Sequence, residues 1–393
     1  MNLKFAWIAN GQLYLKSLEG DEAEWTSAFA AQVQANTDSI QRRHAWKSQG
    51  RGARFAAWGA AMPEDMPSTI TPAVMTALTL GRKPDEVLYV VQTPTVSAIL
   101  GREDGDAPVE LRLFHTADFH ITDLSADMER EKIAVSVSHP SGVVNIGILN
   151  KQGSHCRDVT EGDSIDAAPR WSAKGGERLV YQSAGVGRDE RGLYGGRGSF
   201  QILALDFDKG EVDQLAAEEG FDLLVPREAA DGALYYIRRP FDPNPKTASA
   251  KDVAVDMAMI PVRLGRAVLG YLDLFTATYS GKPLRTSSGA AGREAPDQKW
   301  MTLMGNVIDV EQARLESLKA GDETPALVPQ DWELIRQAPS GSVEVVASAV
   351  VAFDLCADGS LLYTNGRAIF HMTGSKARKV AEAELVTAVL SRT

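Results

Sequence analysis

Short runs of alternating apolar and polar positions, punctuated by turn residues, recur along this chain. In "ERLVYQSA", residues 177–184, the alternation predicts a strand with one buried face. Lys174-Gly175-Gly176 precedes it with hairpin-turn chemistry, because glycine accepts positive φ without steric cost. Ile165 to Ser172 forms a strand on the other side of that turn, with Pro169 suited to an edge or early strand position. Downstream, "SFQILALDFDKGEVDQLA" supplies two further strands joined at Asp208-Lys209-Gly210. Four antiparallel strands therefore fit into about fifty residues.

The same rhythm repeats. "DFHITDLS", "EKIAVSVS", "VVNIGILN" and "CRDVTEG" make one unit over 118–162, and "ITPAVMTALTL", "DEVLYVVQT", "TVSAILGRE" and "PVELRLFHT" another over 70–116. After the opening unit, "FDLLVPREAADGALYYIRRP" gives two strands around Asp231-Gly232, with an outer pair expected at "TLMGNVIDVEQ" and "WELIRQA". A full unit follows over 348–383. The start, "LKFAWIANGQLYLKSLEGDEAEWT", holds three strands and lacks a first; "AELVTAVLSRT" at the end is a single strand. Pairing the two ends would close a ring and leave no open sheet edge. The expected fold is all-β: a six-bladed β-propeller in one domain over 1–393, closed by the N- and C-terminal strands in one blade, with helical insertions. Seven blades is the alternative if residues 40–60 form an irregular blade. An open solenoid or a pair of sandwiches would leave the complementary ends unexplained.

"DAAPRWSAKGGERLVYQSA" resembles the repeat of TolB-type and prolyl-oligopeptidase-type propellers, whose usual form is D-x-x-P-x-W-S-P-D-G before an apolar strand. Asp166, Pro169, Trp171, Ser172 and Gly175 or Gly176 match it, whereas Ala173 and Lys174 depart from it. Only this unit keeps the letters of the motif. The resemblance implies a six-bladed fold and carries no function. TolB proteins place an α/β domain before the propeller, and this chain is expected to enter its first blade at Leu3. Prolyl oligopeptidases add a hydrolase domain, and no G-x-S-x-G nucleophile elbow occurs in the sequence. Pro169 and Trp171 are expected to pack and turn the strand rather than bind a ligand.

Composition narrows the function classes. At 44% hydrophobic and 24% charged the chain can bury a sizeable core. Its net charge of −11 opposes general nucleic-acid binding. Cys156 and Cys356 are too few for a disulfide framework. "MNLKFAWIANGQLYL" does not read as a signal peptide, and no run approaches the roughly 20 apolar residues of a membrane span. A soluble, cytoplasmic protein is expected.

Three segments interrupt the repeat, and function is sought there. Within 241–298, Val253, Met257, Ile260, Leu264, Tyr271 and Leu274 recur at helical spacing and define an apolar face, opposite charged residues including Asp252, Asp256, Arg263 and Arg266. Pro261 kinks or divides that helix. Its face needs a cover: the propeller itself, a protein partner or a second copy, or, less favourably for want of a strongly basic stripe, a membrane surface. The second segment, 27–69, begins with a short helix and carries Arg42, Arg43, Lys47, Arg51 and Arg54 without an acidic residue from Ser39 to Arg54. That concentration predicts either docking on the chain's own acidic surface or a site for an anion or acidic partner, with His44 and Trp46 alongside. The third, "GVGRDERGLYGGRG" over 185–198, has neither nucleotide-binding glycine register and reads as a long loop whose Arg188, Arg191 and Arg197 meet an acidic surface.

Catalytic signals are sparse. The six histidines form no H-E-x-x-H or His-Cys cluster, and His155 and Cys156 would point to opposite strand faces. Asp231-Gly232 and Asp358-Gly359 are hairpin turns without a calcium-ligand series. No metal, cofactor or catalytic residue is expected. The first functional reading is therefore a non-enzymatic protein-interaction scaffold that docks a partner through the helical insertion and the basic loop. The alternative is a lyase or hydrolase acting on a carbohydrate or other small molecule in the central funnel. Convergent carboxylates or histidines there would favour the enzyme, and a plugged axis the scaffold.

Overall fold

The computed structural model describes residues 3–36, 39, 73–103, 109–150, 155–241 and 300–392, apart from positions 82, 84, 85, 94, 140, 189, 191 and 193. Twenty-seven strands and two helices lie among these residues, one helix over 28–36 and the other over Val310–Ala320. The alternation seen in the sequence becomes antiparallel sheets of four strands.

The first sheet holds β1 (Lys4–Ala9), β2 (Gln12–Ser17) and β3 (Ala23–Trp25). The second holds β4 (Val74–Leu80), β5 (Glu86–Gln92), β6 (Ser97–Glu103) and β7 (Val109–Thr116) in sequence order. Next come β8 (His120–Asp127), β9 (Lys132–Ser138), β10 (Val144–Asn150) and β11 (Cys156–Asp158). They are followed by β12 (Ser164–Trp171), β13 (Arg178–Arg188), β14 (Tyr194–Arg197), β15 (Gln201–Asp206) and β16 (Glu211–Ala216). A single parallel bridge, Val144 to Ile165, joins these two groups into one nine-stranded sheet. The next sheet is built from β17 (Phe221–Glu228), β18 (Leu234–Pro240), β21 (Glu333–Gln337) and β22 (Val343–Ala347), with the hairpin β19 (Trp300–Leu303) and β20 (Asn306–Asp309) as a separate two-stranded unit. Finally β23 (Ala352–Leu355), β24 (Leu361–Thr364), β25 (Ala368–Thr373) and β26 (Lys376–Glu382) make a sheet, and β27 (Val386–Arg392) returns to pair antiparallel with β1.

The expected pairing of the two ends is thus present as β27-β1-β2-β3. The sheets remain separate, however, and no continuous closed sheet exists among the described residues. They adjoin through apolar seams instead. Ile8 and Leu13 pack with Met75 and Tyr89; Ala77 and Leu88 with Ile121 and Ile133; Ala134 and Ile146 with Leu179 and Tyr181. Ile202 packs with Leu223 and Tyr236, Leu224 and Ile237 with Phe353 and Tyr363, and Leu362 and Ile369 with Phe5 and Trp7. Both faces of most sheets are consequently buried, which explains the unbroken burial of "EVLYVVQ" in β5.

Two expectations are corrected. "TLMGNVIDVEQ" does not supply an outer strand: it forms the β19–β20 hairpin and the start of the second helix, and "GSVEVVA" provides the outer strand β22. The Gly-rich segment 185–198 is not merely a loop, because β13 extends to Arg188 and β14 pairs back on it, Val186 opposite Arg197. Residues 40–60, on which a seventh blade depended, lie outside the described residues.

Candidate functional site

One strand from each group points toward a common cavity. Thr76 and Leu78 of β4, Thr122 and Asp123 of β8, Arg170 of β12, Val225 and Arg227 of β17, Phe353 of β23, and Thr387 and Val389 of β27 all line it. These six strands also contact one another in the order β4, β8, β12, β17, β23, β27, and β27 contacts β4. The cavity is narrow, about 70 Å³, room for a few waters.

Backbone bulges aim the charged residues of this ring. In β12 the register slips between Ala167 and Arg170, and in β17 between Leu224 and Arg227. Ala168 and Val225 both take φ of +52°, and each is followed by proline, which has no N–H to give to a ladder. The two arginines are therefore equivalent products of the same device. Arg170 Nη1 donates to Asp123 Oδ1 at 2.9 Å, to the Leu124 carbonyl at 3.1 Å and to its neighbour Pro169 at 2.7 Å. Arg227 Nε donates to Asp354 Oδ1 at 3.3 Å, while Asp354 Oδ2 accepts the Ser391 amide at 2.9 Å. Burial, and then the charge of Arg170, pull the Arg227 guanidinium down to about 10, with Asp354 and Asp123 opposing. Around the ring the order is Asp123, Arg170, Arg227, Asp354: two guanidiniums flanked by two carboxylates.

Sequence reasoning missed all four. A signal existed in the echo of Pro169-Arg170 by Pro226-Arg227, each at the same point of a first strand.

A second ionic cluster holds the base of the 241–298 insertion. Asp222 is fully buried and accepts two hydrogen bonds of 2.8 Å from Arg197 in a bidentate pair. Arg239, also fully buried, reaches the same carboxylate at 3.1 Å and donates to the Met304 carbonyl at 2.6 Å in the β19–β20 turn. Its guanidinium lies 4.7 Å from the Trp332 ring centroid. Burial alone would raise the Asp222 carboxyl, yet Arg197 and Arg239 hold it below the ordinary carboxylate range. Arg197 of the Gly-rich segment thus finds an acidic partner inside the protein, and Arg188 finds Asp163; Arg191 lies outside the described residues.

The motif residues of the opening stretch join neighbouring sheets. Asp166 is buried and accepts from Ser183 Oγ at 2.7 Å; burial raises its carboxyl, with that hydrogen bond opposing. Pro169 occupies the bulge. Trp171 donates its indole N–H to the Ser125 carbonyl of β8 at 3.1 Å, and Ser172 Oγ donates to Glu228 Oε2 of β17 at 2.6 Å. The expected partner face Val253, Met257, Ile260, Leu264, Tyr271 and Leu274, and the basic set Arg42, Arg43, Lys47, Arg51 and Arg54, lie outside the described residues. The helix predicted at the start of 27–69 is present over 28–36, and its Phe29 amide donates to Glu110 Oε2 at 2.9 Å.

Two constellations look reactive and are not arranged for it. Ser360 Oγ lies 2.8 Å from His371 Nε2, but Asp358 accepts from Ser360 at 2.6 Å instead of orienting the histidine. Burial pushes the Cys156 thiol up to about 12, which disfavours a thiolate. Among the described residues, no group of three or more His, Cys, Asp or Glu could hold a metal ion, and no helix is long and apolar enough to cross a membrane.

No family model matches the sequence, and no curated protein matches it. Solved structures do. TolB from Acinetobacter baumannii superposes with a TM-score of 0.50 at 12% identity, over 99% of this chain and 66% of that one. The chain has a TolB-like propeller fold. It spans just under two thirds of the TolB chain it matches. The nidogen/laminin complex gives 0.49 at 8% identity over 100% of this chain and 98% of that one, and the tricorn protease 0.44 at 11% over 96% and 33%. Those two scores are too low to argue from, and at such identities the likeness to TolB is one of fold alone.

Proposed function

We propose that the chain is a closed six-bladed propeller that serves as a non-enzymatic protein-interaction scaffold. Closure is supported by the cyclic contacts of the six first strands and by the β27–β1 pair that unites the chain ends. One observation carries the scaffold reading: the axis is nearly filled. Ligand pockets commonly offer about 300–1,000 Å³, whereas the space at this axis is about 70 Å³ and the Asp123 carboxylate that lines it is engaged by Arg170. A carbohydrate-sized substrate does not fit there, which disfavours the lyase or hydrolase reading. The partner surface of this proposal is the 241–298 insertion, with Val253, Met257, Ile260, Leu264, Tyr271 and Leu274 as contacts and the 27–69 basic segment beside an acidic partner. The setting proposed is the cytoplasm.

The test compares immobilised full-length protein with a variant lacking residues 246–296, each exposed to native lysate. A partner held only by the full-length chain supports the reading. If both folded proteins retain nothing, and light scattering shows no self-association, the scaffold proposal fails.

A further inference from the structure

We propose that the axial cavity is a binding site for one small inorganic anion, of halide or nitrate size, held between Arg170 and Arg227. The proposal is independent of the scaffold reading. The ring order places the two guanidiniums side by side on adjacent strands, β12 and β17, with Asp123 and Asp354 displaced to the outer flanks on β8 and β23. Positive charge therefore concentrates at the middle of the arc. The hydrogen bonds made by Arg170 use Nη1, and those of Arg227 use Nε and Nη1, so Nη2 of each guanidinium has no protein partner among the described residues. Across the cavity lie Thr76 of β4 and Thr387 of β27. Two charged donors that face one small cavity make an anion the fitting occupant. Arg227 stays charged at neutral pH, and the burial and Arg170 charge that lower it are what an anion between the two guanidiniums would offset. The cavity of about 70 Å³ sets the size limit and excludes large organic anions.

The experiment uses the full chain, dialysed overnight into sodium gluconate, whose anion is too large for the cavity. Sodium bromide then replaces gluconate at constant ionic strength while the thermal midpoint is followed, and crystals soaked in bromide are measured at the bromine edge. A saturable rise in midpoint and an anomalous peak within hydrogen-bonding distance of both Nη2 atoms are expected. The paired change Arg227→Gln with Asp354→Asn keeps the net charge and should weaken bromide at least tenfold. The paired change Arg170→Gln with Asp123→Asn likewise keeps the net charge, should weaken bromide as well, and serves if the first pair does not fold. A linear, unsaturated response equal in wild type and the paired variants, or no anomalous peak in the cavity, overturns the proposal.

Discussion

Trp7 and Val389 face each other in register across the pair formed by the first and last strands of the chain. Trp7 is fully buried and lies between Phe5 and Tyr14, with ring centroids 5.5 Å away on either side. The contact joins residues almost a full chain length apart, so its energy bears on the union of the chain ends rather than on a local hairpin. Trp7→Ala should cost about 3–5 kcal/mol, read as a lower urea midpoint. A cost below about 1 kcal/mol would mean that the seam is not tightly packed.

The Arg197–Asp222–Arg239 cluster predicts a specific acid response. Asp222 has a lowered carboxyl in the folded state, so its contribution is complete above the unfolded value near 4 and is lost as pH falls toward the folded value. Asp222→Asn should flatten this acid limb. At neutral pH it should also cost about 3–5 kcal/mol, because the buried Arg197–Asp222–Arg239 cluster loses its shared carboxylate. Urea unfolding between pH 3 and 7 checks both points.

Asp166 behaves in the opposite sense. Its carboxyl is raised by burial, so the folded state keeps a proton that the unfolded chain has released. Stability from this group therefore declines as pH rises from about 4 through the raised folded value. Asp166→Asn can still accept the Ser183 hydrogen bond and removes that decline. Relative to wild type, the variant should fare better at pH 7 than at pH 4 in the same assay; a constant difference would show that the buried carboxyl does not titrate abnormally.

Removing residues 246–296 should leave the propeller folded. Both stems remain, with Arg239 tied to the Met304 carbonyl and Asp222. The thermal midpoint is expected to move by less than about 2 °C, the shift of roughly 1–2 kcal/mol in a chain of this size. A broad or absent transition would show that the insertion completes the core.

Strand alternation made most of this architecture legible. The strand expected over Ile165 to Ser172 spans Ser164–Trp171, and the complementary ends pair as anticipated. "TLMGNVIDVEQ" misled because a hairpin and an outer strand share the same period, and only tertiary pairing tells them apart. The Gly-rich segment misled for a related reason: glycines that suggest a loop also serve a strand whose backbone takes positive φ, as at Gly196, which has φ of +136° and stands opposite Gly187 in the β13–β14 pair. The axial charges were illegible individually. Asp123, Arg170, Arg227 and Asp354 are ordinary strand residues in sequence, and only the fold brings the first three to one cavity and sets Asp354 against Arg227.

The most direct test of the closed ring is the thermal midpoint of a chain ending at Glu384, without β27. That strand buries Val386, Val389 and Leu390, worth about 1.5–3 kcal/mol each, and its removal would expose β1 as an open edge. Closure predicts a loss of about 5–10 °C, recovered when β27 is restored. A truncated chain that melts with the full-length midpoint would contradict it.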